Sequence, residues 1–438
     1  MLSKDSAKQL VDKVVSQTKF QSSVTLFHTE KNTTRFANSE ISQNVSVSDA
    51  VLTLRIYEGK KMSESVTNVL TERGIKALVE NAKNMLKVVP EGEFSAFPFG
   101  TGEVPAYETK SGLAGSFGAK ERALTIKEGL KKLDGNFTGA GALNLNRNVM
   151  VAAGSSGGFF YTGFDNLDFN VVVTHRDGTA GAGSCCSYLA PPDILGEFGK
   201  AAETASAALG AVSPELGSHT VVLSPTAFAD LLRFACFMLN AKTVIDGVSF
   251  ATGKQSQKVF GDNFTVRDSA GHKELMPLMF DFEGHRRKPV NLIENGVIGA
   301  FLHDNITARK LNETPTGHCF ISGQGGLPLH ITVDGGDRTL AEIIADTASG
   351  VYINEFHYTN FTNPRLLQIT GLTRNGAFLI ENGKLTKPIK TVRFTESMLN
   401  SFNKITAFSS ERKLVQSFFS ASLVPGVRIE DFHFTSKP

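Results

Sequence analysis

A chain of 438 residues with 45 Lys+Arg against 43 Asp+Glu carries a formal charge of +2, too even a balance to give nucleic-acid phosphates an electrostatic hold. Hydrophobic residues make up 41% and charged residues 20%, which excludes wholesale disorder, and no run approaches the roughly 18 apolar residues needed to span a bilayer. At about 150 residues per domain the length predicts two or three cores, and 33 Phe, 41 Gly and no Trp point to aromatic packing among many turns.

In chain order, Ser3 and Asp5 are cap candidates for a helix with Ala7, Leu10, Val11, Val14 and Val15 on one stripe. From about Ser22 the pattern turns to β alternation, with Val45, Val47, Val51, Leu52, Leu54 and Ile56 in β-rich runs and a hairpin turn at Glu58-Gly59-Lys60. A second helix carries Ile75, Leu78, Val79, Ala82, Met85 and Leu86 at 3.6-residue spacing. Helix, strands, helix is an α+β opening. Residues 88–118, rich in Gly, Pro and Ser, are expected to be an extended connection before a helix around 120–133. Strands follow, interrupted at Gly154–Gly158, which marks a strand break or a close backbone approach. Phe169–Thr174 and Thr179–Tyr188 read as paired strands. Pro191-Pro192 starts a helix with Ile194, Leu195, Phe198, Ala201, Ala205 and Leu209, stopped by Gly210.

The polar segment from Val212 to His219 is the expected boundary between an N-terminal α+β domain (1–214) and a β-rich C-terminal domain (215–438) with a few helices. Thr220–Leu223 is a short buried strand. Ser224-Pro225 then caps a helix whose face carries Phe228, Leu231, Leu232, Ala235 and Leu239. Leu-Ile-Glu-Asn-Gly occurs twice, at 292–296 and 379–383, each an apolar run ending in Asn-Gly and so a hairpin. Thr339 and Glu342 form a capping box for a helix closed by Gly350, and Leu423–Phe434 reads as a closing strand pair around Pro425-Gly426.

The four cysteines, Cys185, Cys186, Cys236 and Cys319, form no C-x-x-C pair. With no apolar stretch after Met1-Leu2-Ser3-Lys4-Asp5 to serve as a signal peptide, a reducing, cytoplasmic setting is expected. Ten histidines are scattered so that no two lie within five residues, which excludes a helical H-E-x-x-H zinc motif. Asp281, Glu283 and His285 would share one side of a strand, with Phe280 and Phe282 on the other; a solvated strand face is the plainer reading and a catalytic site the bolder one. His318 and Cys319 are adjacent, so on a strand they point apart, and a buried thiol beside a turn histidine is expected rather than a nucleophile with its base. No P-loop and no G-x-S-x-G elbow occur.

Taken together, Val221–Leu223 with its helix, Phe280–Gly284, Leu292–Gly296, Ala308-Arg309-Lys310, Thr316-Gly317-His318 and Gly350-Val351-Tyr352 through Ile380–Gly383 resemble the TldD/TldE (PmbA) family, also named as modulators of DNA gyrase. The resemblance spans most of the chain and is most specific over about 215–390. It implies a cytoplasmic proteolytic assembly acting on small or unfolded polypeptides, in which TldD members carry an HExxxH zinc helix and a late cysteine ligand. On this chain the two histidine positions fall on Arg233 and Met238 and the glutamate on Phe234, and no cysteine follows Cys319. A guanidinium is a permanent cation that repels Zn²⁺, Phe transfers no proton, and Met alone is too soft a ligand.

The resemblance therefore implies a TldE-like, metal-free and non-catalytic subunit, with no cofactor of its own and zinc in a TldD-like partner. The expected partners are that subunit or a second copy, and an extended peptide paired to a sheet edge; nucleic acid and membrane are not expected. Two other readings stand beside it: a self-contained hydrolase built on Asp281, Glu283, His285 and His318, and a protein-binding regulator of the gyrase-modulator type.

Overall fold

The computed structural model describes residues 2–92, 99–101, 104–108, 112–417 and 421–437. Ser3 caps α1 (Lys4–Ser16) by accepting from the Ser6 N–H, and the helix buries Ala7, Val11 and Val14. Strands β1 (Gln21–Ala37) and β2 (Glu40–Glu58) pair antiparallel along their length around a turn at Asn38 and Ser39, both at positive φ. Gly59, at φ +58°, leads into β3 (Lys61–Thr67). Helix α2 (Glu72–Val88) then lies back on the sheet, burying Ile75, Leu78, Val79, Ala82 and Leu86. Met85, expected on that stripe, is exposed, because it falls at the margin of the apolar arc.

The expected connection at 88–118 lies partly outside the described residues; within them it contains β4 (Tyr107–Glu108) and α3 (Leu113–Ser116). After α4 (Ala119–Lys131), the long strands β5 (Phe137–Gly154) and β6 (Phe159–His175) form a hairpin, and β7 (Ala180–Ser187) pairs with β6. Helix α5 (Ile194–Ala207) starts after the two prolines rather than on them, since Asp193 is the cap and accepts from the Gly196 N–H at 2.8 Å. The strand order is β3-β2-β1-β5-β6, with β7 and β4 both on the far edge of β6.

This sheet has two unlike faces. Val24, Leu26 and Phe36 of β1 and Leu143, Leu145, Val149 and Val151 of β5 point to the side that α1, α2, α4 and α5 cover. Phe27, Met150, Ala152, Phe160 and Phe164 point to the other side, where the C-terminal half docks.

The second half opens with β8 (Gly217–Leu223) and α6 (Pro225–Met238), followed by α7 (Ala241–Ile245) and β9 (Val266–Asp268). Next come β10 (Val290–Glu294), β11 (Val297–Ile298), α8 (Asn305–Leu311), β12 (Ile331–Val333) and α9 (Leu340–Ala345). The chain then runs through β13 (Ser349–Asn363), β14 (Gln368–Glu381), β15 (Lys384–Pro388), β16 (Arg393–Ser397), α10 (Met398–Asn403), β17 (Ile405–Gln416) and β18 (Ala421–Ser436). Strands β8, β13, β14, β16 and β18 close into a ring, because β18 pairs with both β16 and β8. Both Asn-Gly pairs are tight turns at positive φ, Asn295-Gly296 joining β10 to β11 and Asn382-Gly383 joining β14 to β15.

Two expectations fail here. Leu423–Phe434 is not a strand pair but part of the single strand β18: Pro425 faces Arg412 beside a register shift in β17, where its missing N–H is tolerated, and the Gly426 N–H is taken by Ser409 Oγ at 2.9 Å. Gly350 does not close α9 but lies in β13, where a Cβ would come within 2.6 Å of the Thr220 carbonyl of the neighbouring strand.

The halves meet in an aromatic seam. Phe282 packs 4.8 Å from Phe27 and 5.2 Å from Phe320, and Phe280 packs 5.6 Å from Phe160, all ring centroid distances. Such pairs add about 0.5–1.5 kcal/mol each to the area they bury. Phe282→Ala is expected to cost about 3–5 kcal/mol and lower the thermal midpoint by several degrees, whereas Val66→Ala on the exposed edge strand should stay within about 0.5 kcal/mol; differential scanning calorimetry separates the two.

Candidate functional site

A groove begins between the halves and continues within the second. Its widest part, about 630 Å³, lies between β7 and α5 on one side and Ser224, Thr226, Asn354, Glu355 and β17 on the other. Thr226 and Glu355 lead into a second compartment of about 310 Å³, and Arg233 and Ser417 lead from there into a third of about 280 Å³. Strand β17 pairs with β18 along one edge, and residues 411–416 line the first two compartments. The Leu414 carbonyl accepts from Cys186 Sγ at 3.5 Å, so this part of the backbone faces away from β18.

Helix α6 forms the floor where the second and third compartments meet. Ser224 caps it by accepting from the Ala227 N–H at 3.1 Å, Pro225 occupies its first turn, and Phe228, Leu231, Leu232 and Ala235 are buried. This leaves Arg233 in the groove with a side chain 40% exposed. Its Nε donates to Asp230 Oδ1 at 2.8 Å and its Nη2 to Thr359 Oγ1 at 2.9 Å, and the guanidinium lies 4.3 Å above the Phe234 ring. Phe234 in turn meets Phe361 edge-on at 4.7 Å, and Met238 is in the core.

None of the histidines lines these three compartments among the described residues. Cys185, Cys186 and Cys236 do, but burial pushes all three thiols up, the first two to about 12, so none is a thiolate nucleophile. Burial also raises the Glu355 carboxyl, against the opposing hydrogen bond from Asn375.

The segment Phe280–His285 is neither a strand nor solvated. Asp281 Oδ1 accepts from the Glu283 N–H at 3.0 Å and the His285 N–H at 2.8 Å, and Gly284 sits at φ +82°, so alternation gives way to a tight turn. Asp281 and Glu283 are 0% and 7% exposed. Asp281 Oδ2 accepts from the Cys319 N–H at 3.1 Å, and Glu283 accepts from the Asn305 N–H at 2.7 Å and from Ser322 Oγ at 2.6 Å.

Asp304 caps α8 and takes the Gly323 and Gly325 N–H groups at 2.7 and 3.0 Å, and a ligand atom from each of Glu283, Asp304 and Cys319 lies within 4.8 Å of the others. His285 Nε2 is 2.9 Å from Asn305 Oδ1. His318 does not join this cluster: its Nε2 lies 3.3 Å from Asp268 Oδ1, where Arg287 and His330 also converge. Burial opposes the charge on Asp268, but His318 and Arg287 hold its carboxyl well below the usual range.

Asp268, Asp304 and His330 were not singled out in the sequence. Asp304 had a signal, the cap pattern Asp-x-x-Thr over 304–307, whereas Asp268 ends a short strand with nothing to mark it.

A ring of strands bearing a proline-initiated helix, docked by an aromatic seam on a helix-backed antiparallel sheet, is here a peptidase-related architecture. The chain belongs to the PmbA/TldD family: residues 216–436 match the model described as PmbA/TldA metallopeptidase C-terminal domain and residues 24–86 the model for domain 1. It is 25% identical over 226 residues to a protein named metalloprotease from Methanothermobacter thermautotrophicus, covering 50% of this chain and 49% of that one. It is 22% identical over 223 residues to a protein named zinc metalloprotease TldD homolog from Saccharolobus solfataricus, covering 47% of each. The chain thus spans about half the length of the curated relatives it matches. The crystal structure of TldE from Thermococcus kodakarensis superposes with a TM-score of 0.84 at 19% identity, over 98% of this chain and 100% of that one, which establishes a common fold. Among the described residues no helix is long and apolar enough to cross a membrane.

Zinc in a relative's name raises the question of fit. On α6, a guanidinium, a phenyl ring and a buried thioether supply no donor set for the ion. In the acidic cluster Glu283, Asp304 and Cys319 bring ligand atoms within 4.8 Å of one another, but the two carboxylates already accept hydrogen bonds on both oxygens. The α6 positions do not suit zinc.

Glu283 has its carboxyl raised to about 7, by burial and then by Asp281 and Asp304. The folded chain therefore holds a proton that the unfolded chain, with a value near 4.5, releases earlier. That stabilisation is complete below pH 4.5 and is lost as pH rises through 7, a swing of about 3 kcal/mol. Thermal melts from about pH 5 to 8 should fall more steeply for the wild type than for Glu283→Gln, and parallel curves would count against a buried, protonated Glu283.

Proposed function

We propose that this chain is a metal-free, non-catalytic subunit of a TldD/TldE-type peptidase. It holds extended polypeptide in the groove, while a TldD-like partner carrying the zinc performs the hydrolysis. The observation that carries this reading is the α6 wall: the positions matched to HExxxH hold Arg233, Phe234 and Met238, of which Arg233 is already committed to Asp230 and Thr359. Burial raises the thiols of the cysteines that line the groove, Cys185, Cys186 and Cys236, and among the described residues no imidazole lines it to act as a base. Over residues 412–416 strand β17 pairs with β18 on one side; on the other the Leu414 carbonyl takes Cys186 Sγ, and the rest of that edge suits the docking mode that accepts many sequences through main-chain hydrogen bonds.

The two sheets, divided near residue 215, wall the wide compartment of this site, and the protein works in the cytoplasm, where its four free cysteines stay reduced. The partner is a TldD-like chain or, failing that, a second copy.

Metal analysis of the purified chain is expected to find zinc far below one equivalent, with peptide hydrolysis absent until a chain bearing HExxxH is added. Stoichiometric zinc or hydrolysis by the chain alone would falsify the assignment. If the β17 edge does the holding, N-methylation of alternate residues of a bound peptide should weaken affinity about tenfold, the loss of one or two net hydrogen bonds, whereas methylation that leaves affinity unchanged would remove the strand edge from the site.

A further inference from the structure

The guanidinium of Arg233 is supported on three sides. Asp230 and Thr359 take hydrogen bonds from Nε and Nη2, which together form its lateral edge, and Phe234 supports its plane from below at 4.3 Å. Asp230 is itself occupied on both oxygens, Oδ1 by Arg233 and Oδ2 by Thr359 Oγ1 at 2.7 Å. The terminal edge of the guanidinium, formed by Nη1 and the second hydrogen of Nη2, has no partner among the described residues and lies on the wall shared by the second and third compartments. A fork held in this way is preorganised for bidentate recognition of a carboxylate.

Beside it the third compartment, about 280 Å³, is walled by Phe234, Phe361, Leu327, Pro328 and Ile331. Apart from Arg233, Ser417 and Ser422 its lining is apolar, which suits a branched aliphatic or aromatic side chain.

We propose that Arg233 and this apolar compartment form a C-terminal recognition site, with the free α-carboxylate of a polypeptide on the guanidinium and its last, apolar side chain between Phe361 and Ile331. The charge complementarity at the end of the groove and the apolar lining one side chain away favour a chain terminus over an internal acidic residue. The rest of the peptide then runs from Arg233 past Glu355 towards the wide compartment, along β17. This deepens the groove reading of the preceding section and rests on it: it fixes which end of the polypeptide enters and with what polarity.

The test is fluorescence polarisation of the full chain with an N-terminally labelled octapeptide ending in Leu, as the free acid and as the C-terminal amide. A third peptide is amidated and carries an internal Asp. The acid is expected to bind at least tenfold tighter than either amidated peptide. Arg233→Gln should erase that difference, Arg233→Lys should restore part of it, and circular dichroism checks that each variant is folded. Equal binding of acid and amide by the wild type, or equally tight binding of the internal-Asp amide, overturns the C-terminal site while leaving the groove reading in place. Failure of all three peptides to bind overturns both.

Discussion

The contact on which the groove depends is the aromatic seam that Phe280, Phe282 and Phe320 make with Phe27 and Phe160. A sheet with helices on one face must cover its other apolar face, and here the cover is the second half of the chain. The seam covers only part of that face. Farther along the same side of the same strands the residues become Thr33, Asn144, Asn148, Asn166 and Asp168, which satisfy one another across the sheet, as in Thr33 Oγ1 to Asn144 Oδ1 at 2.8 Å and Asn144 Nδ2 to Asp168 Oδ1 at 2.7 Å. The switch from Phe to Asn marks where the second half stops. It fixes how β7 lies opposite β17, and the space between them is the groove.

The seam depends in turn on buried carboxylates. Phe280 and Phe282 both reach it from one tight turn, which exists because Asp281 gathers the Glu283, His285 and Cys319 N–H groups. The Phe99–Gly100 segment of the first half closes over this turn: the Gly100 N–H donates to the Glu283 carbonyl at 3.1 Å, and a Cβ on Gly100 would lie 1.8 Å from the Gly284 oxygen. Between β9 and β12 the chain has few ladder hydrogen bonds, and Asp268, Asp281 and Asp304 replace them, each accepting several N–H groups in place of water. The titratable residues that cluster here are spent on holding loops.

What could be read in advance follows from how local each signal is. The caps at Ser3, Ser224 and Thr339, the two Asn-Gly turns and the stripe of α6 depend on residues within one or two turns, and all are found. Asp281, Glu283 and His285 were misread as alternating along a strand because their spacing permits it. The competing Asx turn is equally local, but the deciding partner, the Cys319 N–H, lies 38 residues away. Pro425-Gly426 was misread for the same reason: as a dipeptide it signals a turn, and only the register shift in β17 lets a strand run through it. The convergence of Asp268, Arg287, His318 and His330 and the existence of the groove depend on packing between segments that no spacing rule connects.

The α6 helix shows how a fold of this kind can keep its shape while the chemistry of its groove changes. Its hold on the ring of strands comes from Phe228, Leu231, Leu232, Ala235 and Leu239, all nearly inaccessible to solvent, and none of these contacts involves position 233. That position faces the groove whatever side chain it bears. On the match to HExxxH, an imidazole there would help place a Lewis acid that activates water, whereas Arg233 places a fixed charge that cannot be deprotonated. A fixed cation orients and retains an anionic group but generates no nucleophile. Its ring support has a similar logic: Phe234, where a general base is implied, has no proton to exchange yet supports one face of the guanidinium. On the proposed reading, the same two side chains that leave this wall without a zinc donor set supply what a binding wall needs, a directional charge next to an apolar pocket.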